Sequence, residues 1–420
     1  MDQQRDTDKK RSPEKASNNS LTGRREEPTG DTAALPLGQP LVPPLELSSV
    51  WCFTSPTEAE AALDGSLSET FVYRRENHPS AQRLERVLAQ MHGASDAIVT
   101  AQGMSAIAAV ALACLAPGDT VWVAEEVYGK TMVLFFDHLA KWGIRSVLFD
   151  PYDDQSMQRI VVERPRMVFV ETVSNPRLRV VDLQRLRERV HSVGGLLVVD
   201  NTFATAHLCR PLDWGADVVV ESLSKQVCGH SDAMLGLVAT VDPSICQSVR
   251  RHVASLGMTS SPIDCYLTER GLQTLEVRVE RACRNAAAVA DLLSAQAIVR
   301  GVDYPGLPSH PQHRWASRLL SGGFGWMVTM HFAMEAGTMD DAFRVLTRYF
   351  PFAPSLGDVR TTLSHPASTS HRSLSDAEQA KLGICRQTVR ISCGIEATDT
   401  LRHQFQQALA AVAATVGRAS

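Results

Sequence analysis

Two segments of the chain, Val198-Val-Asp-Asn-Thr-Phe203 and, further on, Val219-Val-Glu-Ser-Leu-Ser-Lys225, decide the predicted fold. Each is a run of β-branched residues that ends in polar ones, and such continuous hydrophobicity is typical of a strand buried on both faces of a sheet. Ligands of open α/β sheets bind at the carboxyl ends of the strands. We therefore expect Asp200 and Lys225 to face one crevice.

The same kind of apolar run recurs along the chain and alternates with helical patterns. The candidate strands comprise residues 97–100, 120–124, 145–149, 167–171, 196–200, 217–221 and 235–240. Strands of continuous hydrophobicity that alternate with helices are typical of a mainly parallel sheet covered by helices. The sequence therefore predicts a large α/β domain around a mainly parallel, seven-stranded sheet.

The chain divides into four predicted parts. They are a disordered tail at residues 1–46, an N-terminal arm at 47–79, a large domain at 80–280 and a smaller α+β domain at 281–420. The tail is polar and rich in proline and glycine, so it has little apolar surface to bury. An amphipathic helix from Ser80 opens the large domain, and a long helix followed by mixed apolar segments sets off the last part.

The overall composition narrows the functional classes. With 44% hydrophobic and 21% charged residues over 420 positions, the chain is typical of globular proteins. A net charge of -4 gives no signature of polyanion binding, so we expect no nucleic-acid partner. The nine cysteines form no C-x-x-C pair, and no apolar run approaches the roughly 20 residues of a membrane span. We therefore expect a cytoplasmic protein that does not associate with membranes.

Asp200 and Lys225 together indicate a specific chemistry. A carboxylate in the crevice can keep a pyridine nitrogen protonated, and a lysine amine can form an imine with an aldehyde, which are two requirements of pyridoxal 5′-phosphate (PLP). Ser222 and Ser224 offer hydroxyl groups to the cofactor phosphate. The segment Gln102-Gly103-Met104-Ser105 opens a helix, where backbone N–H groups suit an anion.

Other interpretations of these residues stay open at this level. An aspartate that ends a strand is often a turn former, and a lysine after a strand is often only solvated. Ser222-Leu-Ser-Lys225 also fits the S-x-x-K pattern of serine acyl enzymes, although neither an S-D-N nor a K-T-G triplet follows it. His310-Pro-Gln-His313 offers two imidazoles to a metal, but no cysteine or carboxylate cluster accompanies them, so we expect no metal.

Several segments occur in an order that is highly specific when they are taken together. They are Tyr73-Arg-Arg-Glu-Asn-His-Pro-Ser80, Gln102-Gly-Met-Ser-Ala-Ile107, Tyr128-Gly-Lys-Thr131, Glu171-Thr-Val-Ser-Asn-Pro176, Asp200-Asn-Thr-Phe-Ala-Thr205, Ser222-Leu-Ser-Lys225, Arg270-Gly-Leu-Gln-Thr-Leu275, Tyr304-Pro-Gly-Leu-Pro-Ser-His-Pro311 and Val389-Arg-Ile-Ser-Cys-Gly-Ile-Glu396. In them the chain resembles the transsulfuration family of PLP enzymes, which includes the cystathionine synthases and lyases and the homoserine-ester sulfhydrylases. The resemblance implies the aminotransferase-like architecture called fold type I.

The resemblance also implies a role for each matched position. Lys225 carries PLP as a Schiff base, Asp200 pairs with the pyridine nitrogen, Tyr128 stacks on the ring, and Asn175 lies near the cofactor O3′. The phosphate is held by the amides of Gly103 and Met104, by Ser222 and Ser224, and by Tyr73 and Arg75 of a neighbouring subunit. The implied assembly is a homo-oligomer, a dimer or tetramer, with shared active sites, in which the arm contacts the neighbour.

Substrate recognition is implied at three further positions. Arg390 binds the substrate α-carboxylate, a task that suits the planar fork of arginine, and Ser355 lies near the same carboxylate. At Arg360, members that handle cystathionine carry a glutamate that meets the distal ammonium. An arginine would repel an ammonium and attract a succinyl carboxylate. Arg360 fits a surface ion pair with Asp358 equally well.

These features predict γ-replacement on O-acetyl- or O-succinylhomoserine by sulfide or a thiol. The alternatives are a cystathionine γ-synthase, or a cystathionine or methionine γ-lyase that releases 2-oxobutanoate. Three positions depart from the family's pattern: His78 replaces an asparagine, Gln102 a serine, and Lys130 a cysteine or small residue. Lys130 either offers a second cation at the substrate entrance or points into solvent.

Overall fold

The larger sheet has the predicted strands. The computed structural model describes residues 40–67, 70–372 and 374–416, so most of the predicted disordered tail lies outside the described residues. The strands are β1 (Asp96–Thr100), β2 (Thr120–Ala124), β3 (Arg145–Phe149), β4 (Met167–Glu171), β5 (Leu196–Asp200), β6 (Val218–Ser222) and β7 (Gly236–Thr240). Each end lies within one residue of the prediction.

The strand order of this sheet is β1-β7-β6-β5-β4-β2-β3. The strands from β6 to β3 are parallel, whereas β7 is antiparallel to both of its neighbours. Valines of the central strands, such as Val199 and Val219, are fully buried, as expected for strands covered on both faces. The predicted mainly parallel sheet is confirmed. Because β4, β5 and β6 are parallel neighbours, their carboxyl ends meet at one edge.

Helices occupy most of the connections. They are α1 (Pro56–Leu63), α2 (Pro79–His92), α3 (Gly103–Cys114), α4 (Gly129–Val133), α5 (Asp154–Glu163), α6 (Leu183–His191), α7 (Thr205–Leu208), α8 (Pro243–Ser255), α9 (Pro262–Leu272), α10 (Leu275–Ser294), α11 (His313–Leu319), α12 (Met339–Leu346), α13 (Asp376–Lys381) and α14 (Thr398–Val416). Within the described residues no helix combines the length and apolar character that crossing a membrane requires.

A second, antiparallel sheet follows in the C-terminal part of the chain. Its strands, in the order β10-β11-β9-β8, are β8 (Val299–Asp303), β9 (Met327–Phe332), β10 (Thr362–Ser364) and β11 (Thr388–Ser392). The helix α10 links the two cores, since Val279 packs beneath the larger sheet and Val289 packs beneath the smaller one. The predicted domain boundary at residue 280 falls within this helix. The expected α+β character of this part is confirmed.

The two sheets meet at the turn that follows β4. Thr329 of β9 donates a hydrogen bond of 2.6 Å from Oγ1 to the carbonyl of Pro176. Arg390 of β11, in register with Thr329, reaches Asn175 on the same turn. Residues of the second sheet therefore complete the crevice at the carboxyl edge of the first.

Candidate active site

Asp200 ends β5 at the carboxyl edge of the larger sheet, where the sequence predicted it. Its Oδ1 accepts hydrogen bonds from the backbone N–H of Thr202, at 2.9 Å, and from the Thr202 hydroxyl, at 2.6 Å. Burial raises the pKa of Asp200 to about 6, although the bonds from Thr202 lower it. A cationic partner such as a pyridinium N–H would stabilise this carboxylate in its charged form.

Lys225 lies in the turn that follows β6, within the crevice. Its Nζ donates a hydrogen bond of 3.1 Å to Oγ of Ser355, not to the nearby Ser222 of the S-x-x-K pattern. Burial, and then the positive charge of Arg390, lower the pKa of Lys225 below its ordinary value. Both effects increase the fraction of neutral amine, which is the nucleophilic form.

Arg390 is 3% exposed and is held by neutral oxygens. Its Nε donates to Oγ of Ser364 at 3.1 Å, Nη1 to Oδ1 of Asn175 at 2.7 Å, and Nη2 to the carbonyl of Ser355 at 3.4 Å. Burial lowers the pKa of Arg390 to about 10, which leaves it cationic at neutral pH. A buried cation with neutral partners and spare N–H groups favours the arrival of a carboxylate.

The loop that carries Ser355 is packed directly against Lys225. Gly357 has a φ of +80°, and a Cβ there would lie 2.5 Å from the backbone N of Gln226 and 2.8 Å from the carbonyl carbon of Lys225. Only glycine fits such an approach. Further along the loop, Arg360 is exposed and its Nε donates to Oδ1 of Asp358 at 2.9 Å, so the ion pair considered from sequence is present.

The start of α3 and the end of β6 fit a phosphate group. A Cβ on Gly103 would lie 2.8 Å from Cβ of Ser222, so glycine allows the first turn of α3 to reach the strand end. Gln102, the N-cap, makes no side-chain capping bond, which leaves the amides of this turn available to an anion. The hydroxyl of Ser224 differs from expectation, because it already donates to the carbonyl of Leu235 at 3.2 Å.

Tyr128 borders the same crevice and is 41% exposed. It is the N-cap of α4, and its backbone N–H donates to Oε1 of Glu171 at 2.7 Å. An exposed phenol ring at the edge of the sheet where β4 and β5 end could stack on a planar cofactor. Lys130, two residues later, is exposed.

Sequence reasoning missed Glu171, which ends β4 beside Asp200. Its side chain is 7% exposed, and Oε2 has no hydrogen-bond partner among the described residues. Burial and the neighbouring Asp200 raise the pKa of Glu171 well above its ordinary value, which favours the protonated, neutral carboxyl. Its position at a strand end, the signal that marked Asp200, was available in the sequence.

Tyr73 and Arg75 are the two predicted site residues whose contacts lie away from the crevice. Tyr73 is 47% exposed and forms an isolated bridge with Val50. The Arg75 guanidinium lies 5.4 Å from the centre of the Tyr73 ring and 3.5 Å from a carboxylate oxygen of Glu76. Their predicted role in a neighbouring subunit's site stays a prediction.

His78 explains one departure from the expected motif. It is 1% exposed, its Nδ1 accepts the backbone N–H of Ala81 as the N-cap of α2, and its Nε2 lies 3.2 Å from Oγ of Ser260. Capping by a side-chain acceptor is what an asparagine would also do. The substitution therefore preserves the start of the helix.

Comparisons with known proteins agree with this geometry. Residues 36–410 match the model of the family described as Cys/Met metabolism PLP-dependent enzymes. The chain is 37% identical over 357 residues to cystathionine γ-synthase of Escherichia coli. The aligned region covers 85% of this chain and 89% of that protein. It is 36% identical over 391 residues to O-succinylhomoserine sulfhydrylase of Pseudomonas aeruginosa, covering 91% and 95%.

A solved structure is also similar. Cystathionine γ-synthase of Xanthomonas oryzae pv. oryzae superposes with a TM-score of 0.83 and is 36% identical, over 89% of this chain and 94% of that one. Fold, cofactor chemistry and site geometry thus lead to one assignment. The chain belongs to the Cys/Met metabolism family of PLP-dependent transsulfuration enzymes.

Proposed function

We propose that the protein catalyses γ-replacement on an activated homoserine, O-succinyl- or O-acetylhomoserine, with sulfide or a thiol as nucleophile. The observation that supports an α-amino acid substrate is the contact between Lys225 and Ser355, whose carbonyl also holds Arg390. A carboxylate at Arg390 brings the α-amino group of the substrate next to the lysine amine. This arrangement suits amino-acid exchange at a lysine-bound aldehyde.

The chain's own residues divide the work of the reaction. When bound, PLP supplies an electron-accepting ring that makes protons near the substrate α-carbon acidic. Asp200 would keep the pyridine nitrogen of the cofactor protonated, and Tyr128 would help to hold the ring. Lys225, whose pKa is lowered by burial and by Arg390, takes the α-proton and returns protons to neighbouring carbons. Arg390 fixes the carboxylate throughout, so the reacting bonds keep their orientation.

The phosphate end is assigned to residues from three places. We assign it to the first amides of α3 at Gly103 and Met104 and to the hydroxyl of Ser222. Ser224 can donate to the phosphate only if its hydroxyl gives up its present hydrogen bond to the carbonyl of Leu235. We further propose that Tyr73 and Arg75 reach the phosphate of a neighbouring subunit, which requires a homo-oligomer with shared sites. Their exposure on the arm supports this assignment.

Arg360 supports an acylated homoserine over cystathionine as the molecule that is cleaved. Its guanidinium is exposed, and the residue belongs to the loop that packs against the Lys225 backbone at Gly357. A cation there disfavours the distal ammonium of cystathionine and favours a succinyl carboxylate. The Asp358 carboxylate reduces this effect, because it already pairs with Arg360 at 2.9 Å.

Cystathionine γ-synthesis, with cysteine as the nucleophile, is a second candidate. It is favoured by the 37% identity to the Escherichia coli synthase, similar to the 36% identity to the sulfhydrylase. Both candidates use the same acylated homoserine chemistry and the same residues at the α-carboxylate. The nucleophile separates them.

The test offers each acylhomoserine to the purified holoenzyme with sulfide, with cysteine or with no nucleophile. Homocysteine as the main product with sulfide supports the sulfhydrylase proposal, whereas preferential formation of cystathionine supports the synthase. Release of 2-oxobutanoate as the main product in all three mixtures would instead identify a γ-lyase. Arg360→Glu should weaken use of the succinyl ester more than the acetyl ester, and Arg344→Glu, an exposed change on α12, provides the control.

A further inference from the structure

A second group of reactive side chains lies outside the active site, on the smaller sheet. Cys385 precedes β11, and its Sγ lies 2.9 Å from Nη2 of Arg300 on β8 and 3.3 Å from Oγ1 of Thr388. The Thr388 hydroxyl is 3.1 Å from Nδ1 of His331, and Nε2 of His331 is 2.9 Å from Oδ2 of Asp303. A thiol, a hydroxyl, an imidazole and a carboxylate thus form a continuous series of contacts.

The charges around Cys385 favour its thiolate. Burial alone would raise the pKa of the thiol, but hydrogen bonding with His331 and Thr388 and the charge of Arg300 outweigh burial and lower it to about 7. Burial would lower the pKa of His331, yet the hydrogen bond to Asp303 and the neighbouring Cys385 raise it. The imidazole therefore stays protonated to a higher pH than an ordinary histidine does, and this favours the neighbouring thiolate.

The other cysteines have different surroundings. Six are buried, and Cys52 is exposed. Cys114 is half-buried like Cys385, but burial raises its pKa to about 11. Cys385 combines partial exposure with a cationic environment, and these two conditions make a cysteine susceptible to electrophiles and peroxides.

We propose that Cys385 is a modification site for hydroperoxides, which oxidise its thiolate to a sulfenic acid. The sulfur attacks the hydroxyl oxygen of the hydroperoxide, an S–O bond forms, and the O–O bond breaks. The sulfur loses two electrons, and the departing alkoxide or hydroxide gains them and takes a proton from water. Arg300 stabilises the attacking thiolate, and the contact with Asp303 favours the protonated form of His331.

The position of Cys385 connects the modification to the active site. Asp303 also accepts a hydrogen bond of 2.9 Å from Nε of Arg177. The Arg177 guanidinium packs on Gly383, where a Cβ would lie 2.0 Å from Nη1. Arg177 follows the turn whose Asn175 holds Arg390. A change in the oxidation state of Cys385 therefore occurs where the second sheet supports the substrate-binding turn.

The proposal is tested on the holoenzyme by chemical labelling, which does not depend on enzymatic activity. Limited iodoacetamide treatment over a range of pH, followed by peptide mass spectrometry, should show Cys385 alkylation with a midpoint near pH 7. An ordinary thiol has its midpoint at about 8.5. Treatment with hydrogen peroxide and a sulfenic-acid trap should label Cys385 in preference to Cys52 and Cys114.

Variants show whether the reactivity of Cys385 comes from its neighbours Arg300 and His331 or only from its exposure to solvent. Arg300→Gln and, separately, His331→Gln should each move the Cys385 midpoint upward, whereas Arg344→Gln, an exposed change on the same part of the chain, should leave it unchanged. Because Arg300 is exposed, its replacement should not disturb the core. Arg300→Gln therefore still tests the proposal if His331→Gln does not fold. A midpoint at or above about 8.5 in the unmodified protein, or equal trapping at Cys52, would overturn the proposal.

Discussion

Arg278 and Arg390 are two arginines that are buried to the same degree but have different hydrogen-bond partners. Both are 3% exposed, and burial lowers the pKa of each to about 10. Arg278 donates from Nε to Thr274, from Nη1 to the carbonyl of Gln226, and from Nη2 to the carbonyls of Val227 and Gly271. These bonds occupy four of its five N–H groups.

Arg390, by contrast, has three hydrogen bonds to the described residues, one of them at 3.4 Å. Arg278 therefore stabilises the turn that follows Lys225, and Arg390 keeps N–H groups for a ligand. The difference shows that burial of a charge does not by itself identify a binding site. The number of N–H groups that have no acceptor is the feature that points to a binding site.

The largest expected effect concerns Lys225, a third basic residue of this region. Lys225→Ala removes both the imine-forming amine and the proton carrier, so we expect kcat/KM to fall by about 10⁴-fold or more. Loss of the visible absorbance of bound cofactor should accompany it. Ser355→Ala, which removes only the hydrogen-bond partner of Lys225, is the control and should retain the absorbance.

Arg390→Lys tests the ligand-binding side of the comparison. Lysine keeps the charge but lacks the planar fork, so we expect kcat/KM to fall by about 100-fold, mainly through KM, with thermal stability little changed. Steady-state kinetics and a melting curve of the same preparation measure both. A large loss of stability with normal KM would reverse the roles assigned to the two arginines.

Arg278→Lys tests the structural side. Lysine cannot reach four acceptors at once, and the unpaired carbonyls should cost about 2 kcal/mol of unfolding free energy. Denaturant unfolding measures this loss. Arg284→Lys, an exposed change on the same helix, should be neutral.

Asp200 extends the comparison to a carboxyl group. Its folded-state pKa, about 6, is above the ordinary 3.8, so the folded apoprotein binds this proton more tightly than the unfolded chain does. Stability from this group is complete below pH 3.8 and is lost as pH rises through about 6. From about pH 5 to about pH 7, the wild-type apoprotein should lose about 1 kcal/mol relative to Asp200→Asn. Urea unfolding at both pH values provides the measurement, and equal pH dependence in the two proteins would contradict it.

The smallest effect is expected at Glu171. Burial and Asp200 raise the pKa of Glu171 and so favour its neutral form, which a glutamine imitates in shape. We therefore expect Glu171→Gln to change kcat/KM by about twofold or less. Aspartate has a shorter side chain that cannot accept the hydrogen bond from the Tyr128 amide in the same way, so Glu171→Asp should lower kcat/KM more than Glu171→Gln does. A severe loss in the glutamine variant would show that the group acts as a charged residue.

Much of the fold was accessible from sequence because its signals are local. A run of leucines and valines that ends in Asp200 predicts a buried strand and its polar end without reference to the rest of the chain. The same rule predicts that Lys225 follows the end of a strand, and it lies in the turn after β6. It applied equally to Glu171, which was missed because the motif drew attention to Asn175 instead.

Other features depended on contacts between distant segments. In the sequence, His78 is only a departure from the asparagine of the family's pattern, and its capping of α2 depends on the conformation of the local backbone. The hydroxyl of Ser224 was assigned to phosphate, whereas its bond to Leu235 crosses from the turn after β6 to the start of β7. Arg360 had two possible partners in the sequence, and the ion pair with Asp358 required the conformation of the loop.

The sequence alone determined the strands and the cofactor chemistry, because hydrophobic period and motif order are properties of the chain itself. The tertiary structure decided which charges are compensated. No pattern in the sequence separates Cys114 from Cys385, and none shows that Arg278 is as deeply buried as Arg390. Burial and hydrogen-bond partners come from residues far away in sequence, and these partners set the pKa and the unmet bonds on which binding and reactivity depend.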